Sequence, residues 1–427
     1  MTADRYAVAL QRVVRDDWSR LASSLVGQFR RIDLVEDALG DAVEAAARTW
    51  PRDGIPERPS AWVLTAARRV ILDRLRAEAM HRRRRPLLVS DALMYAERTT
   101  SRADPGDLVD DDRLRLVLMC THPALDPDAA AALALRLVLG VSTRDVARLF
   151  LVSEPTMAAR ITRAKRKIVS AAIPFTIPPL HALPGRVETA AGVAYLAFTA
   201  GYAPASGSDL VRSEIAGEAI RLVRVMLDLR PGEPVLVALL ALMLLQHSRR
   251  DARVGPDGEL VLLPDQDRSR WQRDEIDEGL ALLASLEKAC PGGAGEVPAV
   301  SRQTAAYAVQ AGIAAEHARA AEAGDTRWDR IVRLYDALVD LGAGPSAELG
   351  RVVAIAEAQS PRAALELLAA IPLPGSHRVP AVRAQLLQRC GDAEGARAAY
   401  LEAIALCHNE TELTFLRNRV AELADPD

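Results

Sequence analysis

Between Ser142 and Ile168 the chain reads STRDVARLFLVSEPTMAARITRAKRKI, and its residue types suit the binding of a polyanion. Arg160, Arg163, Lys165, Arg166 and Lys167 can neutralise phosphates. Thr156 and Ala159, just ahead of them, lie with Arg160 and Arg163 on or near one outer helical face. Positioning them takes two short helices. Ser142 or Thr143 can cap the first, with Asp145 near its positive end. Ser153 can cap the second, where Glu154 and Pro155 fall in the first turn and proline costs no hydrogen bond. Val146, Ala147 and Phe150 are expected to face inward against Met157 and Ile161. This is the layout of a helix-turn-helix, whose second helix enters the major groove. Leu151 stands in the turn where glycine is common. Taken alone, the stretch also reads as a solvated helical face.

Two further clusters lie upstream. Residues 68–85 hold eight arginines: Arg68, Arg69, Arg74, Arg76 and Arg82 through Arg85. They follow Trp62 on one long helix, AWVLTAARRVILDRLRAEAMHRRRR, which Ser60 can cap. Arginine pairs bidentately with phosphate, and its flat face, like tryptophan's, stacks on an unstacked base. Earlier still, DLVEDALGDAVEAAARTWP carries Asp33, Glu36, Asp37, Asp41 and Glu44 at spacings of three and four, which places carboxylates on one exposed helical face. Each cluster alone also reads as ordinary solvated surface.

The 427 residues carry a formal charge of -3, unusual for a nucleic-acid binder, but the charge is divided. Residues 1–172 hold 29 Lys and Arg against 23 Asp and Glu, a balance of +6; the remainder holds 25 against 34, a balance of -9. Alanine and leucine abound and aromatics are few, so the composition favours helix throughout. Cys120, Cys290, Cys390 and Cys407 form no CxxC pair, which points to neither a disulfide framework nor a zinc site and fits a reducing cytoplasm. The charged N-terminus lacks a signal-peptide core. The most apolar run, VLVALLALMLL, is too short for the roughly 20 residues of a membrane span. No membrane association is expected.

The order of these pieces resembles a bacterial sigma factor of the extracytoplasmic-function group. An acidic helix ending in W-P, then PSAWVLTAARRVILDRLR, an acidic linker and STRDVARLFLVSEPTMAARITRAKRKI carry the resemblance over roughly residues 10–172. The continuation, with AYLAFTAGYAPASGSDLVRSEIAGEAIRL, ALMLLQHSRRDARV and LLPDQDRSRWQRDEI, looks like the subgroup with a C-terminal tetratricopeptide-like extension. The resemblance implies an all-α chain: two small helical sigma domains, the second with the helix-turn-helix, then a larger helical tetratricopeptide-like domain. Residues 1–90 match region 2, 91–112 an acidic linker, 113–172 region 4, 173–186 a proline-rich linker, and 187–427 the extension. Asp33, Glu36, Asp37 and Asp41 match the region that docks on the β′ clamp helices of core RNA polymerase. Trp62, Arg68, Arg69, Arg74, Arg76, Arg82 and Arg83 match the region that melts and captures the −10 element of promoter DNA. Ser153, Glu154, Thr156, Ala159, Arg160, Arg163, Lys165 and Lys167 match the reader of the −35 element. The polymerase β subunit is a further implied partner. The chain departs from the family at Gly40, where glutamine is frequent, and at Arg69, where asparagine is.

Within the extension, Ala396, Tyr400 and Ala403 follow Gly391-Asp392 at offsets of four and three, and Ala364, Leu368 and Ile371 repeat the offsets about 32 residues earlier. An irregular helical bundle is the alternative. ARVGPDGELVLLPDQDRSRW suggests a small hairpin or ordered loop. Its Asp265, Asp267, Arg268, Arg270 and Trp271 suit a buried ion network, either as a structural latch or as a contact surface. The extension is expected to modulate activity through a protein partner or an intramolecular contact.

No enzyme signature is present. GAGP and PGGAG lack the Lys-Ser/Thr of a phosphate loop, and Cys120 with His122 lacks the spaced partners of a metal or nucleophile site. No cofactor and no catalytic or metal-ligating residue is expected. Two other functions compete with the sigma reading: a stand-alone helix-turn-helix transcriptional regulator with a helical sensor domain, and a tetratricopeptide scaffold.

Overall fold

The computed structural model describes residues 3–82, 105–150, 152–202, 213–255, 259–289, 300–371 and 375–423. Among the described residues there are nineteen α-helices and no strand, so the fold is all-α. The chain divides into two compact units: Met1–Leu196 with Asp228–Pro231, and Ala197–Leu227 with Gly232–Asp427.

The first unit opens with α1 (Ala3–Arg12), a π-turn over Val13–Asp17, α2 (Trp18–Phe29), α3 (Ile32–Asp53) and α4 (Pro59–Arg82). Arg30 ends α2 in the left-handed conformation, with φ of 53°. Its N–H donates to the Val26 carbonyl, which turns the chain sharply into α3. Helical spacing over residues 5–50 predicts Trp18, Leu21, Leu25, Val35, Leu39, Val43 and Trp50 as core contacts, and all but Val43 are buried. Val43 is only half-buried. Ala42 and Ala46 occupy the inner face of α3 in its place, because small side chains let α4 approach closely. Helix α3 also runs two residues past Pro51, and Gly54 closes it with a backbone bond to Trp50.

After the undescribed stretch come α5 (Pro105–Cys120), α6 (Pro127–Val138), α7 (Thr143–Leu149), α8 (Glu154–Ser170) and α9 (Leu183–Tyr202). The end of the expected acidic linker is therefore helix. Pro105 stands at the first position, where its fixed φ suits a helix start and its missing N–H costs no bond. Asp126 caps α6 by accepting from the Ala129 N–H at 3.1 Å, and Ala129–Leu135 are buried without interruption. The proline-rich segment is not a bare tether. Ile173 and Phe175 are buried, Arg30 donates to the Phe175 carbonyl at 3.1 Å, and Arg186 at the start of α9 donates to the Leu118 carbonyl.

In the second unit, α10 (Ser213–Leu229) is followed by α11 (Pro234–His247), in which every residue from Val235 to Leu245 is buried. A helix apolar on all sides must be enclosed on all sides. Helices α12 (Arg273–Ala289) and α13 (Arg302–Arg319) flank it. Gly279 brings α12 against Leu245: a Cβ there would stand 2.8 Å from the Leu245 Cγ. No helix among the described residues is long and apolar enough to cross a membrane. The unit continues through α14 (Trp328–Asp340), α15 (Pro345–Ala358), α16 (Pro361–Leu368), α17 (Arg378–Arg389), α18 (Ala393–Leu406) and α19 (Glu410–Glu422), each packed on the next. Ala364, Leu368, Ala396, Tyr400 and Ala403 lie buried between these helices, whereas Ile371 is half-buried.

The expected hairpin reduces to one antiparallel bridge, Val254 with Leu260. The expected ion network does not form, because Asp265, Asp267 and Arg270 point to solvent. Arg268 instead donates to the carbonyls of His317 (2.5 Å) and Ala320 (2.9 Å), with its guanidinium 4.7 Å from the centroid of the buried Trp271. This is a latch built from backbone and ring rather than from opposite charges.

His247, at the end of α11, contacts both Glu275 oxygens at 3.0 Å, and Arg250 reaches the same carboxylate at 2.9 Å. Burial raises the Glu275 carboxyl, but the bonds from His247 and Arg250 outweigh it and hold it below its ordinary 4.5. At Glu412 the His377 bond dominates burial and lowers that carboxyl too. A carboxyl depressed in the fold stabilises fully above its unfolded value, and the gain is lost as pH falls through the folded value. Burial also holds the His317 imidazole far below its ordinary 6.5, at about 3, so unit 2 is expected to lose melting temperature progressively as pH falls below about 6.5, and more steeply below about pH 4.5, where Glu275 and Glu412 add to the loss. Glu275→Gln should flatten that acid limb in a thermal-melt series.

Candidate nucleic-acid and polymerase interface

Local capping builds the helix-turn-helix. The Ser142 hydroxyl accepts from the Asp145 N–H at 3.1 Å, and the Ser153 hydroxyl accepts from the Thr156 N–H at 3.3 Å. Pro155 sits in the first turn of α8. Met157, Ile161, Ala164 and Ile168 form the buried stripe of α8, and Val146 and Ala147 of α7 are buried with them. Phe150, expected inside, is half-buried under the Arg160 guanidinium, 5.8 Å from its ring centroid. Leu151 lies outside the described residues.

The exposed side of α8 and its cap carries Ser153, Glu154, Thr156, Ala159, Arg163 and Lys167. Two expected DNA contacts differ from these. Arg160 lies 3.6 Å from Asp128 of α6 and has a quarter of its side chain exposed. Lys165 keeps only 12% of its side chain exposed, because it is paired with Glu36 of α3.

The acidic helix is divided in the same way. Asp37 and Asp41 remain about half exposed and share Arg74 of α4, at 3.4 and 2.7 Å. Asp33 is held by Arg31, which also grips Glu78 of α4 and so fixes the α3–α4 angle. Burial raises the Asp33 carboxyl, and Arg31 more than reverses this. Glu36 alone turns inward, 7% exposed, with Arg136 of α6 at 2.5 Å and Lys165 of α8 against its other oxygen. Burial again raises the carboxyl, and Lys165 followed by Arg136 carries it below the usual glutamate value.

On α4, Trp62 is half-buried and meets the buried Trp50 edge-on, with centroids 5.8 Å apart and planes at 73°. Arg69 is exposed, Arg76 is exposed beside Asp73 at 3.0 Å, and Arg68 is half-buried with an Nε that meets no hydrogen-bond acceptor. The Arg82 side chain and Arg83 lie outside the described residues. The structure thus brings Trp62, Arg68, Arg74 and Arg76 onto one helix, and Arg74 onto the two acids expected to dock polymerase.

Cys120 is fully buried, which pushes its thiol up, and no chemistry is built around it. Sequence spacing did not single out His377, Cys407 and Glu412, whose ligand atoms lie within 4.8 Å of one another. They close on themselves: His377 bonds Glu412 at 2.9 Å, and the buried Cys407 thiol donates to the Asn409 carbonyl. His377 and Glu412 border a cleft of about 820 Å³, lined also by Leu349, Gln388, Tyr400 and Phe415.

Comparison with known proteins gives this geometry a frame. A family described as "Sigma-70, region 4" matches residues 115–168, the span from α5 to α8. A family of unknown function (DUF6596) matches residues 186–287. An uncharacterized protein of Rhizobium meliloti (strain 1021) is 39% identical over 404 residues, covering 94% of this chain and 92% of that protein. The chain belongs to that protein's family. Its region 4 supports a sigma-70 family factor that binds core RNA polymerase and promoter DNA, and the second matched family fits a sigma factor with an extension. No solved structure matches the chain.

Proposed function

We propose that the chain is a sigma factor of the extracytoplasmic-function group, acting in the cytoplasm. It brings core RNA polymerase to specific promoters and opens them, and its tetratricopeptide-like extension modulates that activity. The observation that carries the proposal is the company region 4 keeps. In one unit, a capped recognition helix exposing Ser153, Thr156, Arg163 and Lys167 stands with an acidic helix and an arginine-rich helix headed by Trp62. In this reading Asp33, Glu36, Asp37 and Asp41 dock on polymerase, α4 captures the unstacked −10 strand and α8 reads the −35 duplex. No covalent chemistry is its own. Opening is favoured by trapping unstacked bases, worth about 1–3 kcal/mol each.

The test is transcription in vitro with purified core polymerase on genomic fragments that include the protein's own locus. Promoter-specific initiation is the expected result. Binding of a duplex operator by the chain alone, with no initiation at any fragment, would instead favour a stand-alone regulator. Arg163→Ala removes an exposed phosphate partner without touching the core of unit 1. It is expected to lower −35-dependent initiation about 3- to 30-fold and to reduce the salt slope of promoter binding by about one. Core-polymerase affinity should stay unchanged; an equal fall there would show that Arg163 does not act on DNA.

A further inference from the structure

Three side chains able to ligate a metal meet in unit 2 at the ends of three consecutive helices. His377 directly precedes α17, Cys407 follows α18, and Glu412 stands in the first turn of α19. The turn that carries two of them is fixed from within. Asn409, 1% exposed, accepts from the N–H groups of Thr411 and Glu412 at 3.1 and 3.0 Å, which sets Glu412 beside Cys407. Cys407 itself packs with Ala384, Tyr400, Ala403 and Leu416, so its sulfur is anchored in a core. One oxygen of Glu412, Oε2, lies 2.9 Å from the His377 Nε2 and 3.8 Å from the Cys407 Sγ. No two of the donor atoms stand farther apart than 4.8 Å.

Zinc holds imidazole nitrogen, thiolate sulfur and carboxylate oxygen at about 2.0–2.3 Å in tetrahedral order, which sets its ligand atoms roughly 3.3–3.7 Å apart. The three donors straddle that spacing, and shifts of about 1 Å at the side-chain ends bring all of them onto one ion. As protonated groups they satisfy one another, but the thiol does so poorly: it donates to the Asn409 carbonyl at 3.6 Å. A divalent ion replaces these shared protons. It takes the Nε2 lone pair of the neutral imidazole, a Glu412 oxygen and the Cys407 thiolate, whose proton leaves to solvent. Sulfur and imidazole favour zinc over calcium and magnesium, which take oxygen ligands.

We infer that His377, Cys407 and Glu412 form a zinc site that ties α17 to α19. His377 and Glu412 border the cleft of about 820 Å³, so the fourth coordination position faces the cleft. A molecule that enters the cleft with an anionic oxygen or a nitrogen donor can complete the coordination there. The site requires nothing of the sigma-factor reading and depends on these three side chains alone.

Cobalt(II), a spectroscopic substitute for zinc, tests this in the reduced full-length chain after treatment with a chelator. Titration is expected to raise a thiolate-to-cobalt charge-transfer band together with the visible bands of tetrahedral cobalt, saturating at a single equivalent. Zinc should bleach both, whereas calcium and magnesium should not. Cys407→Ser should abolish the charge-transfer band, and Cys290→Ser with Cys390→Ser should leave it intact. His377→Gln, at a partly exposed helix end, should weaken cobalt binding by more than the roughly tenfold that loss of a group supporting a ligand costs. A wild-type chain that gives no charge-transfer band, or a folded Cys407→Ser chain that keeps it, overturns the site. If Cys407→Ser does not fold, His377→Gln decides: cobalt affinity within twofold of wild type overturns the site as well.

Discussion

Glu36→Ala is expected to release region 4 from α3, seen as lost amide protection over Pro127–Val138 and Glu154–Ser170 in hydrogen exchange. The truncation leaves Arg136 and Lys165 facing each other, 16% and 12% exposed, with no anion between them. Removing one partner of a buried ion pair typically costs about 3–5 kcal/mol. That figure is an upper bound here, because separation lets both cations return to water. The ratio of chains with region 4 detached from α3 to chains with it in place should then rise by roughly two to three orders of magnitude. Glu36→Gln keeps the shape and one acceptor but not the charge, and should show most of the effect. Replacing Glu36, Arg136 and Lys165 together by methionine should restore protection, since apolar side chains of similar volume pack without a desolvation cost. Unchanged exchange in Glu36→Ala would mean that Trp18, Gly140 and their neighbours hold the regions together unaided.

Trp50→Ala should cost unit 1 about 3–5 kcal/mol in urea unfolding, with an unaltered m-value. The indole is 1% exposed and fills the space between α3 and α4. No neighbouring side chain can fill a hole of that size. The loss also removes the seat of Trp62, whose edge-on contact is worth about 0.5–1.5 kcal/mol of that total. Trp50→Phe should be far milder, about 1–2 kcal/mol, because the Trp50 Nε1 is buried without a hydrogen-bond partner and phenylalanine removes that unsatisfied donor. If Trp50→Ala unfolded at the wild-type midpoint, the buried indole would not be a core element of this unit. Because Trp62 is the ring expected to stack on an unstacked base, Trp50→Ala should impair promoter opening at temperatures where unit 1 is still folded.

The parts of this molecule that were legible in sequence are those decided within a few residues. Ser142, Ser153 and Pro155 specify the ends of α7 and α8 through their own hydrogen-bonding chemistry. The period of Met157 and Ile161 specifies which face is buried. The apolar run around Leu240 is too short to span a membrane and has no polar side, and such a helix can only be enclosed by others. Legibility ended where a charge could meet a charge far along the chain. Asp33, Glu36, Asp37 and Asp41 are equivalent by spacing, and nothing local says that Glu36 alone turns inward to residues 100 and 129 positions away. Arg74 and Lys165 read as free cations for DNA because their partners lie in other helices. Arg268 read as half of an ion pair, whereas its partners are two carbonyls and a ring, which carry no sequence signature.

The burial of Ile173 and Phe175, with Arg186 tied to Leu118, bears on how such a chain can be dissected. Proline-rich stretches invite the scissors, and this one lies where the helix-turn-helix ends. A fragment stopped at Ala172 would open a greasy socket beside Arg30, and its loss of activity would report a damaged core rather than a missing regulator. Helix α9 also contributes Leu183, Val187, Ala190, Ala191 and Ala194 to the interior of the first unit. The boundary between the compact units therefore lies inside α9 and not at the prolines. A chain cut at the prolines would lose those side chains from its interior.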